Sequence, residues 1–193
     1  MFISKFNYYF VSQLKTKDMN YFEYEEKAAT TACYNEKVAL SYVTLGLCSE
    51  MGETYEKINN EAETEEISKE IGDMFWYLAM IRKECNLDIE GWDWKEALTN
   101  AEGAGVFDLP VEVGKIADQV KKWLRDDWKD VENNVFPEAR KKAVLEAWKN
   151  AWKVINSMIN RVGLDTEKIA EQNIEKLFSR KQRDKIHGAG DNR

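Results

Sequence analysis

Leu40, Val43, Leu47, Met51, Tyr55 and Ile58 recur at steps of three and four, which predicts an amphipathic helix from about Glu36 to Asn59. After an acidic connection over 59–65, Ile67, Ile71, Met74, Leu78 and Ile81 repeat the stripe on a second helix. Beyond Asp73 that helix is apolar nearly all round, the pattern of an element buried at the centre of a bundle. A shorter helix is expected from about Tyr21 to Tyr34. Residues 99–110 carry the Gly and Pro punctuation of a linker. Helical patterning resumes with Ile116, Val120, Trp123 and Leu124 and turns near Asn133–Pro137. It continues from Glu138 to Val162, with Val144, Leu145, Trp148, Trp152, Ile155 and Ile159 inward and Gly163 as C-cap. Asp165 or Thr166 opens a last helix to roughly Gln182, followed by a Gly-containing tail. Residues 1–18 are aromatic and basic without a stripe and read as an N-terminal extension ahead of Met19.

Composition agrees with an all-α chain. Hydrophobic residues make up 44% of 193, enough for a sizeable core, while ten Gly and two Pro are few for a turn-rich β protein. No apolar run is long enough to span a bilayer and no secretory h-region opens the sequence, so no membrane partner and a cytoplasmic setting are expected. Cys33, Cys48 and Cys85 lack CxxC spacing and read as buried thiols of a reducing compartment. A net charge of −7 disfavours a nucleic-acid partner. The charge is uneven. Residues 1–110 hold 10 basic and 21 acidic residues, a net −11, whereas residues 111–193 carry +4.

The two halves share a pattern. Glu50-Met-Gly-Glu53 matches Glu112-Val-Gly-Lys115, and Glu70-Ile-Gly-Asp73-Met-Phe-Trp76 matches Glu146-Ala-Trp-Lys149-Asn-Ala-Trp152. Leu87-Asp88 likewise matches Leu164-Asp165. Two helices per half, stacked together, predict a four-helix-bundle core with pseudo-twofold symmetry and flanking helices. Glu50 and Glu53, and Glu70 and Asp73, stand three apart and border the apolar stripes, so packed helices bring four carboxylates together. Their mutual repulsion is relieved by a divalent cation, and an all-oxygen set suits Mg²⁺ or Mn²⁺. The same spacing also occurs on solvated helix faces. A ferritin-like di-iron site is excluded because it needs Glu-x-x-His pairs and His187 is the single histidine.

Leu45-Gly-Leu-Cys-Ser-Glu50-Met-Gly-Glu53, sixteen residues, then Glu70-Ile-Gly-Asp73-Met-Phe-Trp-Tyr-Leu-Ala resembles the ExxE…ExxD signature of MazG-like, all-α nucleoside triphosphate pyrophosphohydrolases. Asn173-Ile-Glu-Lys176-Leu-Phe-Ser-Arg180-Lys-Gln-Arg183, then His187-Gly-Ala-Gly-Asp-Asn-Arg193, is similar to the family's ending. The resemblance covers 19–98 and 112–193, joined by a linker at 99–111. It implies Mg²⁺-dependent conversion of a (deoxy)nucleoside triphosphate to the monophosphate and pyrophosphate. Glu50, Glu53, Glu70 and Asp73 would be the metal ligands, and Glu53 the base or positioner of the attacking water. Lys115 and Lys149 replace two ligands in the second half, so it reads as a degenerate repeat in a fused pair, a pseudo-dimer that leaves room for further pairing of chains. Asn173, Lys176, Arg180 and Arg183 are candidate sugar and phosphate contacts, on a C-terminal helix that must cross the bundle to reach the first half's acids. Trp76 and Tyr77, and after them Trp92 and Trp94, are candidate base-stacking surfaces, although aromatics at helical spacing are commonly core. His187 is a candidate for closing over a nucleotide. The rival expectation is a non-catalytic helical nucleotide sensor or scaffold whose acids are merely solvated.

Overall fold

The computed structural model describes residues 19–94 and 105–185, and the regular structure among them is all helical. The expectations for residues 1–18, for His187 and for residues 99–104 of the linker lie outside the described residues.

Helix α1 spans Tyr21–Ala29 and α2 spans Ala39–Asn59, entered through a 3₁₀ turn at Glu36–Val38. Helix α3 covers Thr64–Glu84, α4 Asp108–Asp126 and α5 Trp128–Glu132, and α6 covers Glu138–Arg161 and α7 Thr166–Gln182. Local chemistry sets most ends. Asn20 caps α1 in a reciprocal box with Glu23, satisfying two otherwise orphaned N–H groups. Asp165 caps α7 by accepting from the Lys168 N–H at 2.8 Å. Helices α3 and α6 end alike. Asn86 and Gly163 adopt left-handed φ angles, and the N–H groups of Leu87 and Leu164 return to the carbonyls of Arg82 and Ile159, both at 3.0 Å. The shared Leu-Asp dipeptides therefore mark two copies of one C-terminal cap.

The long helices pack as two pairs, α2 along α3 and α4 along α6. A turn of four residues, 60–63, makes the first pair an αα-hairpin. Helix α2 also meets α4, α3 meets α6, and α1 and α7 lie against α3 and against each other. Between the pairs sits an aromatic core. The Phe75 and Trp152 ring centroids are 4.7 Å apart and those of Trp92 and Trp148 are 4.6 Å apart. Tyr21 and Trp94 complete it. The indole N–H of Trp148 donates to the Leu78 carbonyl at 2.8 Å, which ties α6 to α3. A buried polar triad fastens α1 to α3. Glu25 accepts from the Tyr21 hydroxyl at 2.9 Å and from Arg82 Nη1 at 3.0 Å.

Several expectations need correcting. The first helix stops at Ala29, where Thr30 and Thr31 hydroxyls bond back to the carbonyls of Lys27 and Ala28 and turn the chain. Helix α4 begins at Asp108, within the expected linker. Pro110 falls in its first turn, where a missing N–H costs nothing. Leu124 is exposed, because Trp123 takes the inward position and donates its indole N–H to the Val135 carbonyl. Of the three thiols Cys85 is buried, Cys48 is half-buried and Cys33 is exposed. No described helix is long and apolar enough to cross a membrane.

Candidate active site

Helix α2 carries Glu50 and Glu53 on one face, and α3 turns Glu70 and Asp73 toward them. The carboxylates of Glu50, Glu53 and Glu70 each offer an oxygen within 4.8 Å of the others. Glu70 is buried, Glu50 half-buried and Glu53 exposed, with the Ser49 hydroxyl donating to it at 3.4 Å. Crowding has an electrostatic consequence. Burial, reinforced by the charges of Asp73, Glu53 and Glu70, pushes the Glu50 carboxyl up to about 8. The crowded acids therefore favour holding a proton well above the ordinary carboxylate range.

Asp73 stands beside the other three in a different setting. Both of its oxygens are held by α7: Asn173 Nδ2 donates to Oδ1 at 2.9 Å and Lys176 Nζ to Oδ2 at 2.6 Å. Burial raises the Asp73 carboxyl above its ordinary range, and the Lys176 ammonium opposes that rise. Asn173 is itself buried, and its amide oxygen accepts from the Tyr24 hydroxyl at 2.9 Å. One amide thus joins α1, α3 and α7. Gly72 eases the close approach at this junction, since a Cβ there would lie 3.1 Å from the Cβ of Asn173. The C-terminal helix does cross the bundle to reach the first half's acids.

A recess of about 100 Å³ adjoins the cluster, and Glu50 and Asp73 form part of its wall. Tyr42, Trp76, Tyr77, Leu177 and Arg180 supply the rest of the lining that matters. Trp76 is nearly buried and donates its indole N–H to Thr31 Oγ1 at 3.0 Å and to the Ala28 carbonyl at 3.2 Å. Tyr77 stands edge-on to Trp76 at 5.0 Å, and its ring lies directly over Gly46. A Cβ at position 46 would meet that ring at 2.1 Å, so with any other residue there the ring or the helix must shift. Burial also raises the Tyr77 hydroxyl well above its ordinary range.

The basic stripe of α7 is divided by its surroundings. Lys176 holds Asp73 and Arg180 is buried against the recess, whereas Arg183 is exposed and donates to the Ser179 carbonyl of its own helix. Trp92 and Trp94 lie in the aromatic core, away from the recess lining. Tyr42 and Lys57 escaped the sequence reading. Lys57 Nζ forms an ion pair with Glu70 Oε1. Its position four residues past Glu53, on the same helix face, is the signal that was available.

In the second half, Glu112 is buried and accepts from Lys115 Nζ at 2.8 Å. With the exposed Glu146 they line a cavity of about 530 Å³. Lys115 thus supplies positive charge where the first half brings carboxylates together. Comparison of the chain with protein-family models, curated proteins and solved structures finds no match in any of the three.

Proposed function

We propose that this chain is a divalent-cation-dependent nucleoside triphosphate pyrophosphohydrolase of the MazG-like kind that its motifs resemble. The observation that carries the reading is the convergence of Glu50, Glu53 and Glu70 from two helices, beside a tethered Asp73 and an aromatic recess. An all-carboxylate donor set fits Mg²⁺ or Mn²⁺, which Glu50, Glu53, Glu70 and Asp73 would hold. When bound, the ion neutralises phosphate oxygens and makes the attacking water more acidic.

The remaining work falls to side chains. Glu53, the exposed acid, accepts the proton of a water that attacks the α-phosphorus. The Pα–O bond to the β-phosphate breaks, and pyrophosphate departs with the electron pair while the monophosphate stays on the base side. Tyr42 and Tyr77 offer ring faces to the base; stacking of this kind contributes about 1–3 kcal/mol. Arg180 and Lys176 bring positive charge to the phosphates from α7. Asn173 acts at one remove, by fixing Asp73. In this reading residues 19–98 hold the working site. Residues 112–193 are a degenerate partner that contributes α7, and the substrate is a nucleotide of the cytoplasmic pool.

One observation favours the rival reading of a nucleotide sensor or scaffold: Lys57 and Lys176 already pair with two of the four acids. A nucleotide panel separates the two. With Mg²⁺ and each of the common ribo- and deoxyribonucleoside triphosphates, the protein should release pyrophosphate from at least one. Glu53→Gln and Asp73→Asn should abolish that release. Absence of turnover throughout would leave the sensor reading in possession, and unchanged turnover in both variants would overturn the catalytic assignment of these acids.

A further inference from the structure

Helix α2 presents Glu50, Glu53 and Lys57 along one face, at steps of three and four. The Lys57 ammonium reaches across to Glu70 on α3, and the exposures of the two side chains differ sharply, 26% against 4%. Glu70 is thus a buried acid approached by a cation from the open side. It is also one of the three carboxylates that converge. A divalent ion in the cluster and the Lys57 ammonium therefore need the same oxygens.

The ammonium has somewhere else to go. A cavity of about 440 Å³ beside the cluster is lined by Glu53, Glu56, Lys57, Asn60, Ala62 and Glu66. Glu56 and Glu66, which lie outside the converging acids, can receive Lys57 there after a change of side-chain rotamer, with no shift of the helix. Lys176 differs, since the Asp73 it holds is also gripped by Asn173. The second half offers a parallel, where Lys115 pairs with Oε1 of the buried Glu112.

We propose that Lys57 is an internal counter-ion of the acidic cluster: it balances Glu70 while no divalent cation is present and is displaced from it when one binds. It is a positioning residue whose effect is to weaken the cluster's hold on free cation. The inference rests on the cation-site part of the proposed function.

Binding of Mn²⁺ alone, without nucleotide, tests it. Electron paramagnetic resonance titrations of the full chain would compare wild type with Lys57→Met, Lys57→Gln and Lys57→Arg, with thermal melts to check folding. Loss of the competing ammonium should tighten Mn²⁺ binding on the order of tenfold, the factor that about 1.4 kcal/mol of pair interaction represents. Both neutral variants should show this, and Arg should restore the wild-type affinity. Equal or weaker binding in both neutral variants would overturn the counter-ion role and leave the cation site standing. Absence of Mn²⁺ binding in every protein would overturn the site and the counter-ion role together.

Discussion

Replacing Asn173 by Ala removes two hydrogen bonds, one buried and one partly buried, that join three helices. The Tyr24 hydroxyl, fully buried, loses its acceptor at 2.9 Å, and Asp73 Oδ1 loses a donor at 2.9 Å. A buried polar group left without a partner costs about 1–3 kcal/mol, and somewhat more when it is charged. Asp73 keeps Lys176 on its other oxygen, which limits its share. The expected loss is therefore about 2–4 kcal/mol. For a chain of this size that lowers Tm by roughly 5–15 °C. Urea denaturation followed by far-ultraviolet circular dichroism should show a lower midpoint with an unchanged m-value. Asn173→Asp should be worse than Ala, because it sets a second carboxylate against Asp73. A loss below about 0.5 kcal/mol for Asn173→Ala would match a surface residue and refute the junction.

Two glycines of α2 should respond differently to Ala. Gly46→Ala drives a methyl group into the Tyr77 ring, and the overpacking, about 1–3 kcal/mol, meets a helix-propensity gain near 1 kcal/mol, so Tm falls or at best holds. Gly52→Ala meets nothing within 4 Å and should raise Tm by the propensity gain alone; a fall would contradict the open surface at Gly52. The Glu50 carboxyl, raised to about 8, binds a proton that the unfolded chain has already released above the ordinary carboxylate range. Its contribution to stability is complete at acid pH and is lost as pH rises through about 8. A divalent cation replaces the proton, so the rise in Tm on adding Mn²⁺ should be larger at pH about 8.5 than at about 6; equal rises would sink this. Lys115→Ala strands the buried Glu112 and should lower Tm while leaving pyrophosphate release unchanged; a selective loss of activity would refute the degenerate-site reading.

Apolar periodicity made the long helices legible, because each buries one stripe against a partner and the stripe is written in steps of three and four. Cap chemistry was legible for the same local reason: Asp165 and Gly163 stand where expected. The acids could be assigned to two facing helix edges, but their unequal fates could not be read from spacing. Glu53 is exposed, Glu70 is buried with Lys57, and Asp73 is gripped by residues a hundred positions away. Such differences arise from packing of α7 and α1 on α3, which spacing within one helix does not encode. Asn173 shows the point well. Its place in the C-terminal motif suggested a ligand contact, whereas its amide is engaged at both ends by protein groups. Trp92 and Trp94 join the core because Tyr21 and the α6 tryptophans close over them. The ends of α1 and α4 were misjudged because threonine hydroxyls and a first-turn proline act within one turn.

Phosphorus nuclear magnetic resonance of a turned-over nucleotide, run in ¹⁸O-enriched water with Mg²⁺, tests the proposed reaction most directly. Attack at the α-phosphorus predicts monophosphate and pyrophosphate as products, with the heavy oxygen in the monophosphate and no turnover by Glu53→Gln. Diphosphate with inorganic phosphate, or heavy oxygen in the pyrophosphate, would contradict it.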